Sequence, residues 1–253
     1  MTATFRWVDL GDGLRCLLGT CPIAPRNPTE LQLIDWDEIR TFKTQKRADE
    51  HLSARWLLEQ ALHEWGDIDC SQINVARTEE RAPYLEAIQG LWIQPKLPNI
   101  SITHSENLAC VVLIDRDWTV GIDAEPLTRP PKPSVFDMMA KGRELSQLHS
   151  GALDALWTWT AKEAIQKAAR LGMHLNPRDI DLTSFEIENK IPIGKFIFQL
   201  INLSNEDYQI TLAWGRDMNP IRTKEDDLLD ETREAMDASN DWKVGCSTVR
   251  KNA

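Results

Sequence analysis

The hydrophobic positions of this chain switch between a helical and an alternating period, and the switches mark its elements. From Asp35 to about Trp65, Phe42, Leu52, Trp56, Leu57 and Leu62 fall at helical spacings among charged residues, and Gly66-Asp67 ends the pattern. Asn99-Ile-Ser-Ile-Thr-His-Ser then alternates apolar with polar, as a half-buried strand does. Leu108–Ile114 (LACVVLI) is a short apolar run consistent with a buried strand. Thr119-Val-Gly-Ile-Asp-Ala-Glu predicts another strand, ended by Pro126. Arg129-Pro-Pro-Lys-Pro can be neither helix interior nor central strand and reads as a connection.

Helical patterns return over Val135–His149 and from Gly151 to about Leu171. Strand-like runs follow at Ser184–Glu188, Phe196–Asn202 and Tyr208–Trp214. Residues 1–30, rich in Gly and Pro, read as one short strand and loops. Residues 221–253 hold eight acidic and six basic side chains with little apolar periodicity. That composition predicts a mobile tail with one amphipathic helix at most. Helix followed by strands occurs twice, which predicts a two-lobed α+β protein with a cleft between the lobes.

Charge narrows the function. The 29 Lys and Arg stand against 39 Asp and Glu, a formal net charge of −10, which argues against a uniformly basic nucleic-acid binder or a polybasic membrane tether. The five cysteines (Cys16, Cys21, Cys70, Cys110, Cys246) are odd in number and form no CxxC pair, so reduced thiols are expected rather than a disulfide framework or zinc knuckle. Charged residues interrupt Met1–Leu18, unlike a signal peptide, and no stretch approaches the ~20 apolar residues of a membrane span. The expectation is a soluble, cytoplasmic protein.

Three clusters could carry chemistry. Asp123 and Glu125 lie two apart in a strand, so both carboxylates leave one face while Ile122 and Ala124 face a core. Two like charges there suit a hard cation such as Mg²⁺, or a solvated edge strand. Glu163 and Lys167 are i, i+4 in a helix of good formers, Trp159-Thr-Ala-Lys-Glu-Ala-Ile-Gln-Lys. They share a face, either as a plain ion pair or as part of a site. Thr103-His104-Ser105 sets an imidazole between two hydroxyls at a strand end, a group able to meet phosphate.

Order and spacing tie the clusters together. ISITHS, VGIDAE about 20 residues later and WTAKEAIQK about 40 beyond that resemble the signature segments of the Sfp-type 4′-phosphopantetheinyl transferases. Arg81-Ala-Pro-Tyr-Leu resembles the family's Gly-Lys-Pro-like stretch, with Ala82 where lysine is usual. Arg55 resembles the arginine of the family's N-terminal helix. Thr103 replaces a usual serine, and Glu59 stands where many members have a second arginine.

The resemblance implies an α+β pseudo-dimer of two similar halves, with the active site in the cleft between them. Its N-terminal half would be 1–115, the half carrying the metal site 116–220, and 221–253 the flexible tail. It implies transfer of phosphopantetheine from coenzyme A to a serine of an acyl or peptidyl carrier protein, by a monomer working without nucleic acid or membrane. In that scheme Asp123, Glu125 and Glu163 hold Mg²⁺, and Glu163 and Lys167 are catalytic. Arg55, Arg81, Thr103, His104, Lys162 and Lys167 hold coenzyme A. A basic patch of Arg129, Lys132, Lys141 and Arg143 would meet the carrier's acidic helix. A phosphate-ester hydrolase with the same carboxylates, or a non-catalytic adaptor, are the alternatives.

Overall fold

The computed structural model describes residues 2–88, 97–183, 185 and 189–217. The chain opens with a β-hairpin, β1 (Thr4–Gly11) and β2 (Leu14–Pro22), where one strand and loops were expected. Its turn is Gly11-Asp12-Gly13, all three at positive φ (90°, 53° and 77°), a geometry that glycine adopts at no steric cost. The helical region expected from Asp35 is two helices. Asp35 caps α1 (Trp36–Arg40), and Thr44 caps α2 (Gln45–Gly66) by accepting from the Arg47 amide at 3.3 Å. Asp67, left-handed at φ 55°, ends α2 as foreseen. Glu59 of α2 accepts from the Gln32 and Leu33 amides at 2.6 and 2.7 Å, a loop-fixing role for the residue that departs from the usual arginine.

A small hairpin follows, β3 (Ile73–Arg77) paired with β4 (Pro83–Ala87). β5 (Asn99–Ser105) and β6 (Leu108–Ile114) complete a sheet of order β1-β2-β6-β5, antiparallel throughout. β7 (Thr119–Pro126) begins the second sheet. The helical pattern over Val135–His149 is also broken in two, α3 (Phe136–Met139) and α4 (Gly142–Ser150), before α5 (Ala155–Ala168). β8 (Ile191–Ile193), β9 (Phe196–Asn202) and β10 (Tyr208–Asp217) give the order β7-β10-β9-β8. The expected strand at Ser184–Glu188 lies, apart from Phe185, outside the described residues, as does the tail 221–253.

Alternation along the strands builds a mixed helix-and-sheet protein in four layers. One face of the first sheet (Leu17, Cys21, Ile100, Val111, Leu113) packs under Leu57, Leu58, Ala61 and Leu62 of α2. Its other face (Cys16, Leu18, Cys110, Val112, Ile114) packs on Val120, Ile122, Ala124, Ile210, Leu212 and Trp214 of the second sheet. The far side of the second sheet, through Phe198, Leu200 and Ala213, lies against Ala161, Ala164, Ile165 and Ala168 of α5. β6 is covered on both faces, which accounts for its unbroken apolar run. Met1–Asp217 form one compact unit, and residue 115 falls between its two sheets.

Gly121 sets how closely α5 approaches β7. A Cβ there would stand 1.9 Å from the Ala164 carbonyl oxygen and 2.5 Å from the Ala168 amide nitrogen, so helix backbone rests directly on strand backbone. Gly121→Ala should lower unfolding free energy by about 3 kcal/mol, read from urea melts, because α5 must lift off the sheet.

Cys16, Cys21, Cys70 and Cys110 are free and buried, and desolvation pushes the Cys16, Cys70 and Cys110 thiols up to about 12, so none of these three is a nucleophile. No helix among the described residues is long and apolar enough to cross a membrane.

Candidate active site

The edge strands β5 and β7 of the two sheets meet side by side, and that seam carries the chemistry. Ser101 Oγ accepts from the Ile122 amide at 3.1 Å, fixing the offset between the strands. With a side-chain period of two, Thr103 then reaches Asp123 and Ser105 reaches Glu125. Thr103 Oγ1 donates to Asp123 Oδ1 at 3.2 Å, and Ser105 Oγ donates to Glu125 Oε2 at 2.8 Å. Ile122 and Ala124 point into the shared core, as the alternation predicts, leaving Asp123 and Glu125 on the side of α5.

Lys167 projects from α5 onto Asp123. Its ammonium donates to Asp123 Oδ1 at 2.7 Å, to the Ile122 carbonyl at 3.1 Å and to Thr103 Oγ1 at 3.2 Å. Asp123 is 5% exposed, and its second oxygen, Oδ2, is buried without a hydrogen-bond partner among the described residues. Burial pushes the Glu163 carboxyl above the usual carboxylate range; Lys167 opposes this, while Asp123 and Glu125 add to it. Glu125 is raised in the same way, by burial first, against the Ser105 hydrogen bond and with the charge of Asp123. Asp123, Glu125, Glu163 and Lys167 therefore act on one another electrostatically across two elements.

Among the described residues no three His, Cys, Asp or Glu side chains converge as a ready-made metal-binding group. The expected triad is thus not assembled in this arrangement: Lys167 and Thr103 take one oxygen of Asp123, and Ser105 takes one of Glu125. The donor chemistry still fits a hard divalent cation. The set is all oxygen, its members repel one another, and the buried Oδ2 of Asp123 lacks a partner.

His104 lies beside a residue that the sequence did not single out. Arg47 Nη1 stands 2.9 Å from His104 Nε2. A guanidinium can only donate, so Nε2 accepts and the imidazole proton resides on Nδ1, which faces Glu50 Oε2 at 3.6 Å. Desolvation, then Arg47, lowers the pKa of His104. The imidazole is therefore held neutral, and Arg47 is the permanent cation of the pair. Arg47 also reaches Glu50 at 3.3 Å.

Arg55 and Arg81 go elsewhere. Arg55 is 4% exposed, lies 3.9 Å from Glu38 and has one terminal nitrogen, Nη1, buried without a partner among the described residues. It lines a cavity of about 420 Å³ with Asp35, Trp36 and Asn74. A second cavity of about 490 Å³ flanks the start of α2, and neither cavity is lined by Asp123, Glu125 or Glu163. Arg81 stands exposed at φ 66° on the β3–β4 connection. The guanidinium of the neighbouring Arg77, which donates to the Arg81 carbonyl, instead joins Arg55 on Glu38.

The expectation that Lys162 holds coenzyme A requires correction. Lys162 is 1% exposed, and its three protons go to Glu144 Oε2 at 2.6 Å, the Ile180 carbonyl at 2.6 Å and the Pro177 carbonyl at 2.9 Å. Nothing remains for a ligand. The basic patch is likewise partly spent, since Arg129 pairs with Glu106 at 2.8 Å and Lys141 with Asp179 at 2.6 Å.

The carboxylate cluster sits inside a segment that known proteins share. Residues 119–213 match the model of the 4′-phosphopantetheinyl transferase superfamily. The superfamily segment opens at the first residue of β7 and ends within β10. It contains Asp123, Glu125, Glu163 and Lys167, whereas Arg47, Thr103, His104 and Ser105 lie ahead of it. No curated protein matches the chain.

Proposed function

We propose that this protein transfers the 4′-phosphopantetheine arm of coenzyme A to a serine of an acyl or peptidyl carrier protein, releasing 3′,5′-ADP. The observation that carries the reading is the contact of Lys167 with Asp123 across β7 and α5, with Glu125 and Glu163 close enough to act on them electrostatically, inside the superfamily segment. The resemblance of the flanking motifs to the Sfp-type subfamily supports the finer assignment, including the pseudo-dimeric plan of two sheet-and-helix halves.

In this reading Asp123, Glu125 and Glu163 would hold Mg²⁺, which when bound supplies charge neutralisation for the pyrophosphate and the departing 3′,5′-ADP. Lys167 binds the pyrophosphate as a mobile point charge. Arg47, the cation beside His104, takes the 3′-phosphate with Thr103 and His104 close by. Glu163 accepts the proton of the attacking serine hydroxyl. The hydroxyl oxygen forms the new bond to the β-phosphorus, and the bond to the 3′,5′-ADP oxygen breaks.

The test is intact mass of an apo acyl carrier and an apo peptidyl carrier, each incubated with the protein, coenzyme A and Mg²⁺. The expected result is a gain of one phosphopantetheine on at least one carrier, abolished by EDTA. Release of 3′,5′-ADP without carrier would instead indicate a hydrolase. Carrier binding without any mass gain would indicate an adaptor.

A further inference from the structure

We infer that Lys167 has a second role, as the resident counter-ion of the carboxylate site, so that coenzyme A and the divalent cation bind cooperatively. The inference rests on the metal reading of Asp123, Glu125 and Glu163 given above.

An ammonium has three protons, and all three of Lys167 are directed at Asp123 Oδ1, Thr103 Oγ1 and the Ile122 carbonyl. No proton is left for a phosphate while Lys167 holds this position. The partner it neutralises is the most buried of the three carboxylates, 5% exposed, with Oδ2 unpaired. A cation that came to Oδ2 would stand next to the Lys167 ammonium on the same carboxylate, and like charges that close repel strongly away from bulk water. Lys167 therefore weakens divalent-cation binding to the free protein.

The side chain of Lys167 keeps 29% of its surface exposed, against 7% for Asp123, so the ammonium can leave without disturbing the core. An entering pyrophosphate offers it a doubly charged partner in place of one shared carboxylate. Once it moves there, Asp123 regains Oδ1 for the metal, and the two ligands strengthen each other by linkage. The same ammonium neutralises Asp123 in the free protein and the pyrophosphate in the complex, and it cannot do both with one set of protons.

Mn²⁺ serves as the probe, with the unbound ion counted by electron paramagnetic resonance during titration of the full chain. Without coenzyme A, Lys167→Met should bind Mn²⁺ about tenfold more tightly than the natural protein, a coupling of ordinary size for two linked sites. Saturating coenzyme A should tighten Mn²⁺ on the natural protein by a larger factor than on Lys167→Met. Lys167→Gln provides a second neutral side chain should Lys167→Met fold poorly, as judged by circular dichroism. Equal Mn²⁺ affinities of the natural protein and both variants without coenzyme A overturn the inference, as does absence of Mn²⁺ binding by either variant. The metal reading is checked separately by Asp123→Asn with coenzyme A present. If Asp123→Asn loses the Mn²⁺ that the natural protein binds, while the Lys167 variants match the natural protein, the counter-ion role alone falls. If the natural protein with coenzyme A binds no Mn²⁺, the site reading falls with it.

Discussion

Asp123→Asn should reduce phosphopantetheine transfer on the order of 10³-fold while the protein stays folded. Three observations single out Asp123 among the carboxylates. It is the most buried of them, it has an oxygen without a partner, and it is the residue on which β5, β7 and α5 converge through Thr103 and Lys167. Asparagine keeps the shape and one acceptor for Thr103 and Lys167 but removes the charge that a cation needs. An effect of that size is typical where a pre-placed charge acts on a transition state in a site shielded from water. The assay is rate of mass gain on the carrier, with circular dichroism to show the fold is kept. A rate within tenfold of the natural protein would remove the metal role from Asp123. A complete loss with carrier binding unchanged would count against an adaptor function, because an adaptor makes no product to lose.

Lys162→Met should cost about 3–5 kcal/mol of unfolding free energy, the usual penalty for breaking a buried pair and leaving one charge alone. Glu144, 3% exposed, would keep its carboxylate with, among the described residues, the Leu182 amide at 3.0 Å to satisfy it. The carbonyls of Pro177 and Ile180 would lose their donor as well. Replacing both partners, as Lys162→Met with Glu144→Leu, should recover most of the loss, since an apolar pair of similar volume leaves no bare charge. Urea melts of the two single variants and the double variant measure this. If Lys162→Met is as stable as the natural protein but has a raised KM for coenzyme A, the ligand role would be restored and the structural one withdrawn.

The contrast between Lys162 and Lys167 shows how far the sequence could be read. Both follow the same helix-forming run, and i, i+4 spacing correctly places Lys167 on the face of Glu163. Lys162 reads as one more cation of that helix because a buried polar stripe has the same spacing as a solvated one. Thr158, Lys162 and Gln166 repeat every four residues and are all nearly inaccessible, 0%, 1% and 2% exposed. Only the packing of α4 and the 177–180 turn against α5 turns that stripe inward, and those contacts are nonlocal.

The strands with strict alternation, β5 and β7, and the doubly buried β6 were legible because burial imposes a period on sequence. The β1–β2 hairpin was missed, since residues 1–30 read as one strand and loops, although Asp12-Gly13 is a turn signal that could have revealed it. Ser105 could have been found, because period two puts it on the face of Thr103. Arg47 carries no such signal. It matters because the end of β5 brings His104 to the first turn of α2, 57 residues away in sequence.

The β5–β7 seam also has a consequence for how this chain can be divided. The superfamily segment supplies the acids and the lysine, but Thr103 and Ser105, which hold two of the acids, belong to the preceding sheet. The segment's apolar inner face of Val120, Ile122, Ala124, Ile210, Leu212 and Trp214 is covered by that same sheet. Excised on its own, the segment would present a broad oily surface to water and two acids stripped of their hydroxyl braces. The stretch that the superfamily model matches is therefore smaller than the stretch that shares one core, which takes both sheets together.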